Sequence, residues 1–214
     1  MTKSNSTICI CGVGPGHPDY ILPVVHEKVS TAEVLIGGKR QLELFAQYSK
    51  ERYVFSGQLD ELKTAIESFK GKTIVVLVSG DTGFYSLRKF ICNTFTDIKH
   101  EFIPGISSFQ YFYAKLGLGY ENACLLSLHG KEAGYIDKLQ DNESVFLLTD
   151  SRHTYMSIAQ TLVSNDLGQC VLHIGSRLSY EDEKIISCTA EQALLLNENL
   201  PLCSIILESN LNER

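Results

Sequence analysis

Three glycine-bearing stretches hold the residues best suited to chemistry: Gly12-Val13-Gly14-Pro15-Gly16, Ser79-Gly80-Asp81-Thr82-Gly83-Phe84-Tyr85 and Pro104-Gly105-Ile106-Ser107-Ser108. Each follows a short apolar run that reads as a strand, and loops at the carboxyl ends of strands are where open α/β sheets bind ligands. Glycine lets backbone approach a ligand closely. Asp81 offers a carboxylate to a cation or a hydroxyl, and Ser107 a hydroxyl that can cap the following helix. Taken singly, Gly80-Asp81 reads as a turn and Ser107 as a plain N-cap. Three such loops at one sheet edge favour a ligand pocket.

The first loop fails as a dinucleotide-binding turn. That fingerprint needs G-x-G-x-x-G and an acidic residue at the end of the second strand. Here the third glycine comes one residue early, and Pro15 and Pro18 remove N–H groups from the stretch that would face a pyrophosphate. The second strand, Val34-Leu35-Ile36, ends in Gly37-Gly38 where a ribose-binding acid would stand, and Glu33 lies at its opposite end. A nicotinamide or flavin oxidoreductase stays as a disfavoured alternative.

Outside the glycine loops, the candidate groups are Lys39-Arg40, Arg88-Lys89, His129, Lys131, Asp150 and Arg152-His153. Exposed Lys and Arg are mostly solvated surface, Asp150 is a candidate helix cap, and His129 has a bland reading as a hydrogen-bonded turn residue. The seven cysteines show no C-x-x-C pair, and Cys9 and Cys11 share a strand face with no third ligand nearby, so buried thiols and no metal site are expected. A net charge of −6 argues against a nucleic-acid partner. No apolar run approaches the roughly 18–20 residues of a membrane span, and no signal-peptide core follows Met1-Thr2-Lys3, so a soluble, cytoplasmic protein is expected.

These groups need a scaffold, and 214 residues at 44% hydrophobic content suffice for one. The first half alternates strands and helices: Thr7–Cys11, helix Pro23–Ala32, Val34–Ile36, helix Gln58–Phe69, Thr73–Val78, helix Gly83–Phe95, Glu101–Ile103, helix Ser107–Leu116. Strands apolar throughout imply a mostly parallel sheet covered on both faces. Two glycines in Leu116-Gly117-Leu118-Gly119 mark a linker, giving domains 1–116 and 117–214. The second half reads as strands Ala123–Leu128, Val145–Thr149, Cys170–Ile174, Glu183–Cys188 and Cys203–Leu207, with helices Ala133–Leu139, Tyr155–Asn165 and Ala190–Asn197. The closely spaced pair 170–174 and 183–188 implies a hairpin and a mixed sheet.

Taken together, the three glycine stretches resemble the tetrapyrrole methylase family, S-adenosylmethionine-dependent enzymes of corrinoid and sirohaem synthesis. The resemblance covers nearly the whole chain and implies two α/β domains with the active site in the cleft between them. Gly37-Gly38-Lys39-Arg40, Ser127-Leu128-His129-Gly130-Lys131 and Leu147-Leu148-Thr149-Asp150 are similar to the branch that methylates C5, a meso carbon, of a precorrin or cobalt-precorrin in cobalamin biosynthesis.

The resemblance implies that Gly80, Asp81, Phe84, Tyr85, Ser107, Ser108 and Leu148 hold the methyl donor, and that Gly14, Pro15 and Gly16 border the tetrapyrrole. Arg40, Lys131 and Arg152 are candidates to pair with its carboxylates, and His129 is the candidate base for the displaced proton. It also implies a homodimer, and a separate enzyme for C15 methylation and decarboxylation, since this chain has no room for the second domain of the longer family form. Another methyltransferase of the superfamily, with a protein or ribosomal RNA substrate, stays open. Two departures stand out: His17 and Thr82 replace the Asp and Pro common in the family.

Overall fold

The computed structural model describes residues 7–129 and 134–209. It divides into two compact units, Met1–Ser107 and Ser108–Arg214. The expected boundary after 116 differs from this division by one helix, Ser108–Leu116.

The first unit runs β1 (Thr7–Gly12), α1 (Pro23–Thr31), β2 (Val34–Gly37), α2 (Lys39–Glu43), β3 (Glu51–Val54), α3 (Leu59–Ser68), β4 (Thr73–Val78), α4 (Arg88–Thr94) and β5 (Lys99–Ile103). Its sheet has the order β3-β2-β4-β1-β5, with every pairing parallel. The unbroken apolar strands have the reason expected of them: alternate residues feed two cores. Cys9, Cys11, Leu35, Val75 and Leu77 pack with Val25 and Val29 of α1. Ile8, Ile10, Ile36, Ile74 and Val76 face the other way, onto Leu62 and Ile66 of α3 and Ile91 of α4. Pro23 opens α1 at its first turn, where no N–H is needed.

The second unit runs α5 (Ser108–Leu116), β6 (Ala123–Ser127), α6 (Tyr135–Asp141), β7 (Ser144–Leu148), α7 (Tyr155–Ser164), β8 (Val171–Ser176), β9 (Lys184–Thr189), α8 (Ala190–Ala193) and β10 (Cys203–Glu208). The order is β6-β7-β10-β8-β9. β6 and β7 are parallel, whereas β10 runs antiparallel to β7 and β8, and β8–β9 is the expected hairpin. The sheet is mixed, as the spacing implied.

Three expectations differ in detail. α2 and β3 were not anticipated. The helix expected from Gly83 starts at Arg88, because Tyr85 sits at φ 47 in the left-handed region, which cannot continue a right-handed helix. The last helix spans Ala190–Ala193 alone. Among the described residues no helix is long and apolar enough to cross a membrane.

Candidate active site

The adjacent strands β4, β1 and β5 bring the three glycine loops to one edge of the first sheet. The backbones there touch without side chains between them. Gly14 and Gly80 exchange N–H···O bonds of 3.3 and 2.8 Å, and the Val13 N–H donates to Val78 O at 2.9 Å. A Cβ built on Gly105 would lie 2.3 Å from Gly80 O and 2.7 Å from Gly12 C and O, and one on Gly12 would lie 2.5 Å from Gly80 O. Any side chain at Gly12 or Gly105 would therefore force strand ends apart. Val13 is tied to Val78 and Gly14 to Gly80 by backbone alone, so the edge is pre-formed.

Beyond Gly80 the chain turns back over itself. Both carboxylate oxygens of Asp81 accept from the Gly83 N–H at 3.2 Å, and Thr82, 6% exposed, is buried beneath. Phe84 and Tyr85 meet edge to face at 4.9 Å, and Tyr85 is 58% exposed. Ser107 is buried directly ahead of α5, whose first residue is Ser108. Pro15 and Gly16 lead into a short 3-10 turn, Pro18–Tyr20, capped by His17, whose Nδ1 accepts from the Asp19 N–H at 3.2 Å. A carboxylate could accept the same bond, which gives the His17 departure a physical reason.

Arg40 stands in α2, beside the Gly37-Gly38 turn, and its Nη2 donates to Ser79 Oγ at 3.1 Å, as does Gln41 Nε2 at the same oxygen. These bonds tie the carboxyl ends of β2 and β4 together at the residue before Gly80. Ser79 had no role of its own within the second glycine stretch, and Gln41 was not singled out; a serine beside a glycine carries no signal of this bond until β2 and β4 are known to be neighbours.

The remaining candidates belong to the second unit, at the carboxyl ends of the parallel pair β6–β7. The Leu128 N–H donates to Leu148 O at 2.9 Å, so the loops after both strands start side by side. His129 is exposed, its N–H donating to Ser127 Oγ at 3.3 Å. Lys131 lies outside the described residues. Leu148 is half-buried and Arg152 exposed. Asp150 does not cap α7: that role falls to Thr154, whose Oγ1 accepts from the Ser157 N–H, while Asp150 binds the N–H groups of Arg152 and His153. Among the described residues no group of three or more His, Cys, Asp or Glu is placed to hold a metal.

Cobalt-precorrin-7 C(5)-methyltransferase of Salmonella typhimurium is 32% identical over 178 residues, covering 83% of this chain and 88% of that one. The decarboxylating precorrin-6Y C(5,15)-methyltransferase of a Sinorhizobium species is 27% identical over 180 residues, covering 83% of this chain but 44% of that protein. In fold, the chain matches the crystal structure of a precorrin-6Y methylase from Archaeoglobus fulgidus with a TM-score of 0.76 at 22% identity, covering 95% and 98% of the two chains. The family model of the tetrapyrrole (corrin/porphyrin) methylases matches residues 7–194. That stretch opens on the first residue of β1 and ends just past α8, taking in strands of both sheets, and the chain therefore belongs to the tetrapyrrole methylase family.

Proposed function

We propose that this protein transfers a methyl group from S-adenosylmethionine to the C5 meso carbon of a precorrin or cobalt-precorrin in cobalamin biosynthesis. The observation that carries the reading is the 32% identity to a cobalt-precorrin-7 C(5)-methyltransferase over most of both chains. S-adenosylmethionine is the methyl donor of the family, and its sulfonium supplies a methyl group already activated for transfer. The protein's task is then chiefly to fix donor and acceptor in line.

The residues present fit that task. Gly80, Asp81, Ser107 and Ser108 are assigned to the amino-acid and ribose portions of the donor, Asp81 accepting from hydroxyls or ammonium. Phe84, Tyr85 and Leu148 are assigned to its adenine. Backbone at Gly12 and Gly105 too close to Gly80 O for any Cβ supports a rigid, bare edge for that ligand. Gly14, Pro15 and Gly16 are assigned to the border of the macrocycle, and Arg40, Lys131 and Arg152 to its carboxylates, which an acidic protein must meet with local charge. This reading assigns C15 methylation and decarboxylation to a separate enzyme; the match to the fused C(5,15) relative covers 44% of that protein. The reading also includes a cytoplasmic homodimer, for which light scattering tests the oligomeric state.

Calorimetric titration with S-adenosylhomocysteine and with NAD tests the donor class: the former is expected to bind, and tight NAD binding without a response to S-adenosylhomocysteine refutes it. Mass spectrometry of methyl transfer to cobalt-precorrin-7 and to its metal-free counterpart then tests the acceptor, with one added methyl at C5 expected.

A further inference from the structure

The loop joining β7 to α7 is wound around a single carboxylate oxygen. Asp150 Oδ1 accepts the backbone N–H of Arg152 at 2.9 Å and that of His153 at 2.8 Å, and His153 Nδ1 lies 2.9 Å from the same atom. The Asp150 side chain is 10% exposed and that of His153 23%. An ionised carboxylate only accepts, so Nδ1 carries the proton, and in the neutral ring Nε2 keeps its lone pair. His153 lines a cavity of about 420 Å³ together with Leu128, Tyr135, Thr161 and Asn165. Among the described residues its ring has no partner besides Asp150. A largely buried carboxylate, an imidazole in fixed tautomer and a cavity that His153 helps to line are the parts of an oriented general base.

His129, the base suggested by the resemblance, is less well supported. His129 is exposed, and among the described residues the bond that holds it is its own N–H to Ser127 Oγ. Among the described residues no hydrogen bond to its ring orients it.

We infer that His153, positioned by Asp150, is the base that accepts the meso proton displaced during methyl transfer; the inference rests on the C5-methyltransferase reading above. The electron pair of the ring carbon forms the new C–CH3 bond as the S–CH3 bond breaks and S-adenosylhomocysteine leaves. The C–H bond at that carbon then breaks, its proton passing to His153 Nε2 and its electron pair returning to the macrocycle. Asp150 stabilises the imidazolium so formed, and the partly exposed ring returns the proton to water. Asp150 is on this account a positioning residue.

The test is steady-state methyl transfer from S-adenosylmethionine to cobalt-precorrin-7 by the wild type, His153→Ala, His153→Gln and His129→Ala. Loss of an oriented general base is expected to lower kcat about 100-fold or more in both His153 variants, with KM little changed, and His129→Ala is expected to stay within about tenfold of wild type. Free imidazole should restore part of the rate to His153→Ala. Gln is polar and of similar length but has no basic nitrogen, so a slow His153→Gln with wild-type melting separates chemistry from folding. The base assignment alone is overturned if the wild type methylates the substrate and either His153 variant keeps pace, or if imidazole has no effect on a folded His153→Ala. A wild type that binds S-adenosylhomocysteine yet methylates no precorrin overturns the substrate reading, and His153's part with it.

Discussion

Replacing Gly105 by alanine adds one methyl group at the place where the three strand ends meet. The new Cβ would sit 2.3 Å from Gly80 O, about 1.1 Å inside the 3.4 Å at which ordinary contact begins. Moving away offers no relief, because Gly12 C and O lie 2.7 Å from the same point. All the clashing atoms are backbone, and all are held by strand pairing, so β4 or β5 must shift against β1. Overpacking of this kind costs about 1–3 kcal/mol. For a unit of about this size, each kcal/mol lowers the melting temperature by roughly 4–8 °C, so a fall of roughly 4–24 °C is expected.

The shift falls on Gly80 and on the loop leading to Ser107, so binding should suffer beyond the loss of stability. A misplacement of about 1 Å can cost on the order of 100-fold at a positioned site, and S-adenosylhomocysteine affinity is expected to fall at least about tenfold at a temperature where the variant is fully folded. The assay is thermal unfolding with and without S-adenosylhomocysteine, combined with calorimetric titration. Gly83→Ala is the matched control, since its Cβ would meet Asp81 Oδ1 at an ordinary 3.5 Å, and a small change in melting is expected. A Gly105→Ala protein that melts and binds S-adenosylhomocysteine like wild type would refute the argument that the glycine contact builds the site.

Asp81→Ala removes the acceptor for the Gly83 N–H at 3.2 Å, a net cost of about 0.5–1.5 kcal/mol, so the protein should fold while donor affinity drops in titration; an unfolded variant assigns Asp81 to the turn alone. Ser79→Ala leaves Arg40 and Gln41 without their shared acceptor, and a loss of about 1 kcal/mol per bond in unfolding measurements, with weaker S-adenosylhomocysteine binding, is expected; unchanged values would show that α2 is positioned by packing alone. Burial pushes the Cys203 thiol up to about 11, so at pH 8 about one part in a thousand is thiolate and iodoacetamide should not label it in the native protein. Because that folded value lies above the ordinary 9.0, the thiol's contribution to stability is intact below pH 9 and lost as pH rises toward 11; rapid labelling at pH 8, or a denaturation midpoint indifferent to that interval, would contradict it.

Most of the fold was legible because its strands are apolar on both faces. The run Ile8-Cys9-Ile10-Cys11 serves two cores at once, and only a sheet covered on both sides requires that. β3 was not legible for the converse reason: it is an edge strand whose Glu51 and Arg52 are exposed, so its sequence carries no burial pattern. α2 has five residues and no side-chain cap, too little for a helical period to register. The helix expected from Gly83 failed because glycine and aromatic residues at helical spacing do not reveal that Tyr85 takes a left-handed backbone.

The candidate site divides along the same line. Glycines after strands announce a close approach but not its partner; that Gly105 abuts both Gly12 and Gly80 depends on the order β4-β1-β5, which crossover connections conceal. Asp150 read as a helix cap because it precedes α7, yet Thr154, four residues on and immediately ahead of Tyr155, takes the cap and leaves the carboxylate to bind His153. An Asp three residues before a His is too common in turns to signal a dyad by itself.

The two edges answer to the two halves of the proposed reaction. A sulfonium donor arrives activated and asks mainly for a fixed position, which backbone held by strand pairing provides with the least freedom to drift. On the proposed assignment the first unit would meet it with glycine contacts that tolerate no added atom. Losing a proton from the acceptor is a different demand, since it needs a lone pair of set direction, which a side chain must supply. In the second unit a buried carboxylate sets the direction of an imidazole. Added methyl groups at Gly12 or Gly105 should therefore weaken donor binding, whereas loss of the His153 ring should slow transfer and leave donor binding in place.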